Sequence, residues 1–181
     1  MPNWTSNTIY AEGPSEQINE FLEKIRGENG VLDFNSIIPM PKLLKNTGSG
    51  ACTIDGQSVK SWYIVERADY ANKKPEKTRL FTADEEAQLV EIGHRNWYDW
   101  SIANWGTKWN ACDPEIEQHS KETASVRIAY RTAWCEPLPI LNKLIDLFPH
   151  LALTFEWSHE GEGDFMHSLS HDPEWAEAGA A

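Results

Sequence analysis

Apolar side chains alternate with other side chains in two stretches of the last third of the chain. Residues 125–134 place an apolar, aromatic or β-branched residue at every second position, and residues 151–157 repeat the pattern. Successive side chains of a β-strand point to opposite faces, so this period predicts two strands that each bury one face. Residues 7–11 have a shorter pattern of the same kind, which predicts a strand near the start of the chain.

The helical period appears in two other segments. One apolar stripe follows Pro14 at i, i+3, i+4 and i+7 and stops before Gly27; it comprises Ile18, Phe21, Leu22 and Ile25. The other lies between Pro139 and Pro149 and comprises Ile140, Leu141, Leu144, Ile145 and Phe148. Both patterns predict amphipathic helices. Between the first helix and Pro39, residues 31–38 carry Leu32 and Phe34 on one side and predict a further strand.

The middle of the chain is less regular. Asp55-Gly56 predicts the tight turn of a small hairpin, and the polar residues 68–79 predict an exposed loop. Thr82 and Glu85 have the spacing of a capping box, so a helix is predicted to follow them. A second, Trp-rich helical piece is predicted over residues 96–104. Gly106 is predicted to end it in a left-handed conformation, which folds the flanking tryptophans back towards the sheet.

The order of these elements predicts the fold. Strand, helix, strand, insertion, strand, helix and strand give an α+β ferredoxin-like βαββαβ sandwich, with an antiparallel sheet and helices on one face. The insertion covers residues from about 42 to 123, between the second and third strands. Residues 1–175 are predicted to form a single domain, and residues 176–181 a frayed tail.

Five short segments also support a family resemblance. They are Pro2–Trp4, Phe34–Pro41, Asn96–Trp100, Trp105–Ala111 and Thr132–Trp134. Together they resemble the YubB-type ferredoxin-like family of bacterial plasmid and phage proteins, from Pro2 to about residue 163. The most specific element is Trp-Gly-Thr-Lys-Trp, which begins the fourth segment. The resemblance implies the same fold and a place on mobile genetic elements, but it implies no activity and no catalytic residues.

Composition excludes some functions. The formal net charge of the 181 residues is −12, which opposes direct binding to nucleic-acid phosphates. No apolar run approaches the roughly 20 residues of a membrane-spanning helix, and residues 1–4 do not begin a secretion signal. The three cysteines are far apart in the sequence and are predicted to be buried reduced thiols. A cytoplasmic protein without membrane contact is therefore expected.

Tryptophan is the compositional outlier and supplies the candidate binding site. Four of the nine tryptophans fall between residues 97 and 109, and a lysine lies among them. An aromatic wall with a cation suits a planar ligand or a protein partner. The alternative is that these tryptophans pack the insertion into the core. The candidate site residues are Trp97, Tyr98, Trp100, Trp105, Lys108, Trp109 and Trp134.

Seven His and acidic residues fall between positions 159 and 172, and these types can bind a divalent metal ion. They are His159, Glu160, Glu162, Asp164, His167, His171 and Asp172. The HExxH motif is absent, and a solvated acidic loop is the favoured interpretation of this segment; Asp113, Glu115 and His119 are interpreted in the same way. The sequence therefore predicts no metal site and no cofactor. A nucleophile elbow and a phosphate-binding loop are also absent.

These observations favour a non-enzymatic accessory or binding protein of a mobile genetic element. A protein partner or a small ligand is expected to bind at the Trp-rich insertion. Two alternatives stay open: a metal-dependent hydrolase or small-ligand enzyme that uses the C-terminal His and acidic residues, and an acidic mimic of DNA. The sequence gives no prediction of the oligomeric state.

Overall fold

The computed structural model describes residues 3–54, 56–66, 77–120, 124–163 and 165–173. The strands are β1 (Trp4–Glu12), β2 (Thr47–Ile54), β3 (Gln57–Glu66), β4 (Lys77–Arg79), β5 (Cys112–Ser120), β6 (Ser125–Ala133), β7 (Ala152–His159) and β8 (His167–His171). The α-helices are α1 (Ser15–Ile25), α2 (Phe34–Ile37), α3 (Ala83–Ile92), α4 (Trp97–Trp105) and α5 (Leu138–Leu147). None of the described helices is both long and apolar enough to cross a membrane.

The chain divides into two compact units. The first comprises Met1–Pro39 and Asn104–Ala181, and the second is Met40–Ala103. A five-stranded sheet in the order β5-β6-β1-β7-β8 belongs to the first unit, and a three-stranded sheet in the order β2-β3-β4 belongs to the second. All neighbouring strands in both sheets are antiparallel. The predicted α+β class is confirmed, while the assignment of residues 1–175 to one domain stays a prediction.

Strand β1 lies at the centre of the first unit. Its residue Ile9 pairs with Ile128 of β6 on one side and with Phe155 of β7 on the other, and all three side chains are buried. The period-two pattern of β6 and β7 thus places alternate side chains in the core, as predicted. The predicted stripes of α1 and α5 are confirmed in the same way, because their buried residues are Ile18, Phe21, Ile25, Ile140, Leu141 and Leu144.

The predicted second strand over residues 31–38 is wrong. Asp33 instead caps the short helix α2, because its carboxylate accepts a hydrogen bond from the Asn35 backbone N–H at 2.9 Å. Leu32 and Phe34 are both buried without belonging to a strand. In the five-stranded sheet, the strand that precedes β6 along the chain is β5. The long segment between α1 and β5 therefore precedes β5. The predicted position of an insertion, after a second strand at residues 31–38, is wrong.

Most predictions for the middle of the chain are confirmed. Strands β2 and β3 form the predicted hairpin, with Ile54 paired to Gln57 and Gly56 at a φ of 78°. The capping box of α3 is present, and α4 corresponds to the predicted Trp-rich helix. Of the predicted loop over residues 68–79, the last three residues form β4, and 68–76 lie outside the described residues. The predicted tail, residues 176–181, also lies outside them.

The segment that follows β7 differs from the prediction of a solvated acidic loop. Residues 167–171 form strand β8, which pairs with β7 so that His167 lies opposite Trp157 and His171 opposite Leu153. Among the described strands, only β7 pairs with β8, so β8 has a low apolar content and no clear hydrophobic alternation.

Candidate functional site

The N-terminal end of β1 adjoins the C-terminal ends of β6 and β7. The antiparallel register pairs Trp4 with Ala133 and Thr5 with His159. Backbone hydrogen bonds extend this pairing beyond the strands, because Asn3 O accepts from Trp134 N and Trp4 O accepts from Glu160 N, each at 2.9 Å. The segments that follow β6 and β7 are therefore held at the same end of the sheet.

The segment after α4 is anchored to the same end. Gly106 has a φ of 79°, which confirms the predicted left-handed conformation at the end of this helix. The buried Thr107 hydroxyl donates to Ala133 O at 2.9 Å, and the Cys135 thiol donates to Gly106 O at 2.9 Å. Lys108 follows directly, so these two hydrogen bonds hold it beside the end of β6.

Five side chains form what we call the aromatic–cation patch: Trp4, Lys108, Trp109, Arg131 and Trp134. The Lys108 ammonium lies 4.5 Å from the Trp109 ring centroid and 5.0 Å from that of Trp134. The Trp4 and Trp109 rings are 6.2 Å apart, and the Arg131 guanidinium lies 4.7 Å from the Trp4 ring. The Trp4 and Trp109 rings are thus neighbours, Arg131 contacts Trp4, and Lys108 contacts both Trp109 and Trp134. Each cation is at a distance at which the ring quadrupole attracts it.

Trp134 has two unusual properties. Its φ is 76°, which is rare for a bulky residue, and its side chain is 45% exposed. The prediction that strand β6 continues through Trp134 is wrong, because the strand ends at Ala133. The backbone turns at this point, and Trp134 is exposed whereas Thr132, two residues earlier, is buried.

The other predicted site residues lie elsewhere. Trp105 is buried in the first unit, where its Nε1–H donates to Ile38 O at 2.9 Å and its ring meets Phe34 nearly edge-on. The second unit contains Trp97, Tyr98 and Trp100. Of these, Trp100 is buried, and the Trp97 and Tyr98 rings contact each other nearly edge-on. Ligand or partner binding at any of the seven predicted residues stays a prediction.

A second group of polar side chains lies where β7 ends. We call His159, Glu162 and His167 the His–Glu cluster, because one possible ligand atom from each lies within 4.8 Å of the other two. His167 Nε2 is 3.2 Å from Glu162 Oε2, and His159 Nε2 is 3.4 Å from the carboxylate of Glu136. Thr5 and His159 are hydrogen-bonded through Oγ1 and Nδ1 at 3.0 Å.

The remaining polar residues of the C-terminal segment do not join this cluster. Glu160 accepts a hydrogen bond from the Trp4 backbone N–H, and His171 Nε2 donates to Pro149 O at 3.1 Å. Asp172 is exposed, and Asp164 lies outside the described residues. On β5, Asp113 is ion-paired with Arg131, while Glu115 and His119 are exposed.

The two described thiols are half-buried and free. Burial raises the pKa of Cys135, and the neighbouring charge of Glu136 raises it further. Burial also raises the pKa of Cys112, with a smaller contribution from Asp113. Since the thiolate is the nucleophilic form, both environments disfavour nucleophilic chemistry at these cysteines.

Part of the chain matches the model of a known protein family. Residues 102–167 match the model of a family described as "Ferredoxin-like domain in Api92-like protein". This part of the chain, from within α4 to the first residue of β8, is therefore similar to that ferredoxin-like domain. It includes most of the aromatic–cation patch and all of the His–Glu cluster. Comparisons with curated proteins and with solved structures found no match.

Proposed function

We propose that this chain is a non-enzymatic binding protein that holds a protein partner through the aromatic–cation patch. The proposal rests on Trp134. Its backbone is in the left-handed region, and its exposed ring lies beside Lys108. A bulky residue in this backbone region costs about 1–3 kcal/mol, and such strain often accompanies function. An exposed aromatic ring that is maintained at this cost supports a role in binding.

The composition of the patch favours a protein over a small molecule. Tryptophan and arginine are the residue types most enriched among the side chains that dominate binding energy at protein interfaces. The patch combines three tryptophans with Arg131 and Lys108, which contact one another through their rings and cationic groups. A broad aromatic surface of this kind is suited to a complementary protein face, where burial of the Trp134 ring supplies much of the affinity.

The proposed fold of the first unit is the ferredoxin-like βαββαβ arrangement. In this assignment β1, α1, β5, β6, α5 and β7 are its six elements, and β8 is an additional edge strand. The sheet order β5-β6-β1-β7 and the match over residues 102–167 support this assignment. The long segment that contains the second unit is then an insertion between α1 and the second strand. The resemblance to plasmid and phage proteins supports a place on a mobile genetic element.

The function is tested by capture of a partner from an extract of a bacterial host. The wild-type chain is immobilised, and bound proteins are compared with those retained by the variants Trp134→Ala and Lys108→Ala. Trp134→Ala is expected to weaken retention at least tenfold, because truncation of a dominant interface residue costs about 2 kcal/mol or more. Tyr98→Ala removes an exposed aromatic ring outside the patch and is the matched control.

Two results would contradict the proposal. One is a captured protein that the wild type and Trp134→Ala retain equally. The other is a captured protein that Tyr98→Ala loses while Trp134→Ala keeps it, which would locate binding in the second unit. Circular dichroism of each variant establishes that any loss of retention does not come from loss of the fold.

A further inference from the structure

The His–Glu cluster has the spacing of a metal site. In a tetrahedral zinc site, bonds of about 2.0–2.1 Å place neighbouring ligand atoms about 3.3 Å apart. His167 Nε2 and Glu162 Oε2 are already 3.2 Å apart, and the His159 and His167 ring centroids are separated by 5.5 Å. A small rearrangement of the His159 side chain would therefore bring three donor atoms around one ion.

Neighbouring side chains contact both imidazole rings, through a hydrogen bond to His159 and through ring contacts to His167. The buried Thr5 hydroxyl can accept the Nδ1–H of His159, which leaves the Nε2 lone pair for a metal ion. Ligating histidines usually donate their second ring N–H in this way. The His167 ring stacks on Trp157, with centroids 5.7 Å apart and an angle of 8° between the planes, and it also contacts the Phe165 ring nearly edge-on at 4.7 Å.

We propose that His159, Glu162 and His167 bind one divalent transition-metal ion, and that Zn²⁺ is the ion they fit best. Two imidazoles and one carboxylate are a recurrent donor set for zinc, with the remaining position left for water or another oxygen. Glu136 lies beside this group, with its carboxylate 3.4 Å from His159 Nε2. The site requires no contact with the aromatic–cation patch, so it can exist whether or not that patch binds a partner.

The test measures Zn²⁺ binding to the full chain purified without a polyhistidine tag and freed of metal. Titration calorimetry with ZnCl₂ is expected to give one equivalent for the wild type, and added Zn²⁺ is expected to raise the melting temperature. His167→Gln and Glu162→Gln are each expected to weaken binding tenfold or more. Binding should also weaken as the pH falls, because a histidine must lose its proton to become a ligand.

His171→Gln is the matched control, because His171 lies on the same strand, four residues from His167, and donates to Pro149 O. It should bind Zn²⁺ as the wild type does. Absence of Zn²⁺ binding by the wild type would overturn the proposal, as would equal affinities for His167→Gln and His171→Gln. If His167→Gln does not fold, Glu162→Gln decides the question, since Glu162 is an exposed loop residue.

Discussion

Gly106 combines two constraints at one residue. Its φ of 79° is unfavourable for any residue with a Cβ atom, and a Cβ placed there would lie 2.7 Å from Pro139 Cδ and 3.3 Å from Glu136 O. Gly106→Ala is therefore expected to lower the free energy of unfolding by about 1–3 kcal/mol, as for a strained backbone position. Chemical denaturation of the purified variant measures this loss.

Gly93 provides the control for this prediction. It also follows a helix and has a φ of 77°, but a Cβ there would meet nothing within 4 Å. Gly93→Ala should therefore cost only the backbone strain, about 1 kcal/mol. If the two variants lose the same stability, Pro139 and Glu136 move aside without cost, and the close approach at Gly106 has no energetic importance.

The sequence predicts the conformation of a residue where neighbouring residues determine it. It does not predict which residues meet when distant strands pair. The left-handed Gly106 could be predicted because glycine after a helix is a local signal. Trp4 and Arg131 could not be predicted as members of the patch, because contacts between distant segments place Trp4 beside Trp109 and Arg131 beside Trp4. Trp134 was predicted to lie on a strand because the alternation of β6 includes it, although its backbone has already turned.

At the scale of elements, helix α3 is joined to strand β4 by a charged pair. Glu85 accepts two hydrogen bonds from the Arg79 guanidinium, at 2.7 and 2.8 Å, and one from the Thr82 backbone N–H. The hydrogen bonds from Arg79, followed by the one from Thr82, lower the pKa of Glu85 from 4.5 to about 2. The ionised carboxylate is therefore favoured in the folded state.

The consequence is a pH-dependent contribution to stability. Because the pKa of Glu85 is lower in the folded state, its contribution is fully present above about pH 4.5 and is lost as the pH falls towards 2. Glu85→Gln should destabilise the protein at pH 7 by up to about 1 kcal/mol. The difference between variant and wild type should disappear in acid, as measured by denaturation followed by circular dichroism.

Glu86 gives the comparison on the same helix. It pairs with Arg95 at 2.6 Å, but both side chains are about two-fifths exposed, so Glu86→Gln should change stability little. If Glu86→Gln lowers the free energy of unfolding as much as Glu85→Gln does, the effect comes from the total charge of the helix. The ion pair between Glu85 and Arg79 would then have no special importance.

The elements that the sequence predicts well are those with one buried face. Helices α1 and α5 and strands β1, β6 and β7 have this property. Strand β5 was missed because it lies at the edge of its sheet, has a mostly exposed sequence and pairs with β6 through two register shifts. The four-residue helix α2 was predicted as a strand because Leu32 and Phe34 alternate, and a single turn is too short to display a helical period.

At the scale of the whole molecule, the net charge of −12 offers a different explanation of partner binding from the aromatic–cation patch. An acidic protein can hold a basic partner through long-range attraction alone, as a mimic of DNA would. The patch would instead hold its partner by burial of aromatic rings and by short-range contacts to two cations. The two explanations predict opposite responses to salt, because only long-range attraction between exposed charges is strongly screened.

The last prediction is therefore that the partner captured by this chain stays bound at high salt. Raising NaCl from about 0.1 M to about 1 M shortens the Debye length from about 10 Å to about 3 Å, which removes most attraction between exposed charges. Retention on the immobilised wild type should fall by less than tenfold over this range, since burial of the Trp134 ring does not depend on ionic strength. The measurement is the amount of partner eluted at each salt step, with Trp134→Ala as the reference for a weakened patch. Complete release of the partner by moderate salt, with the same profile for both proteins, would favour the acidic mimic and count against the patch.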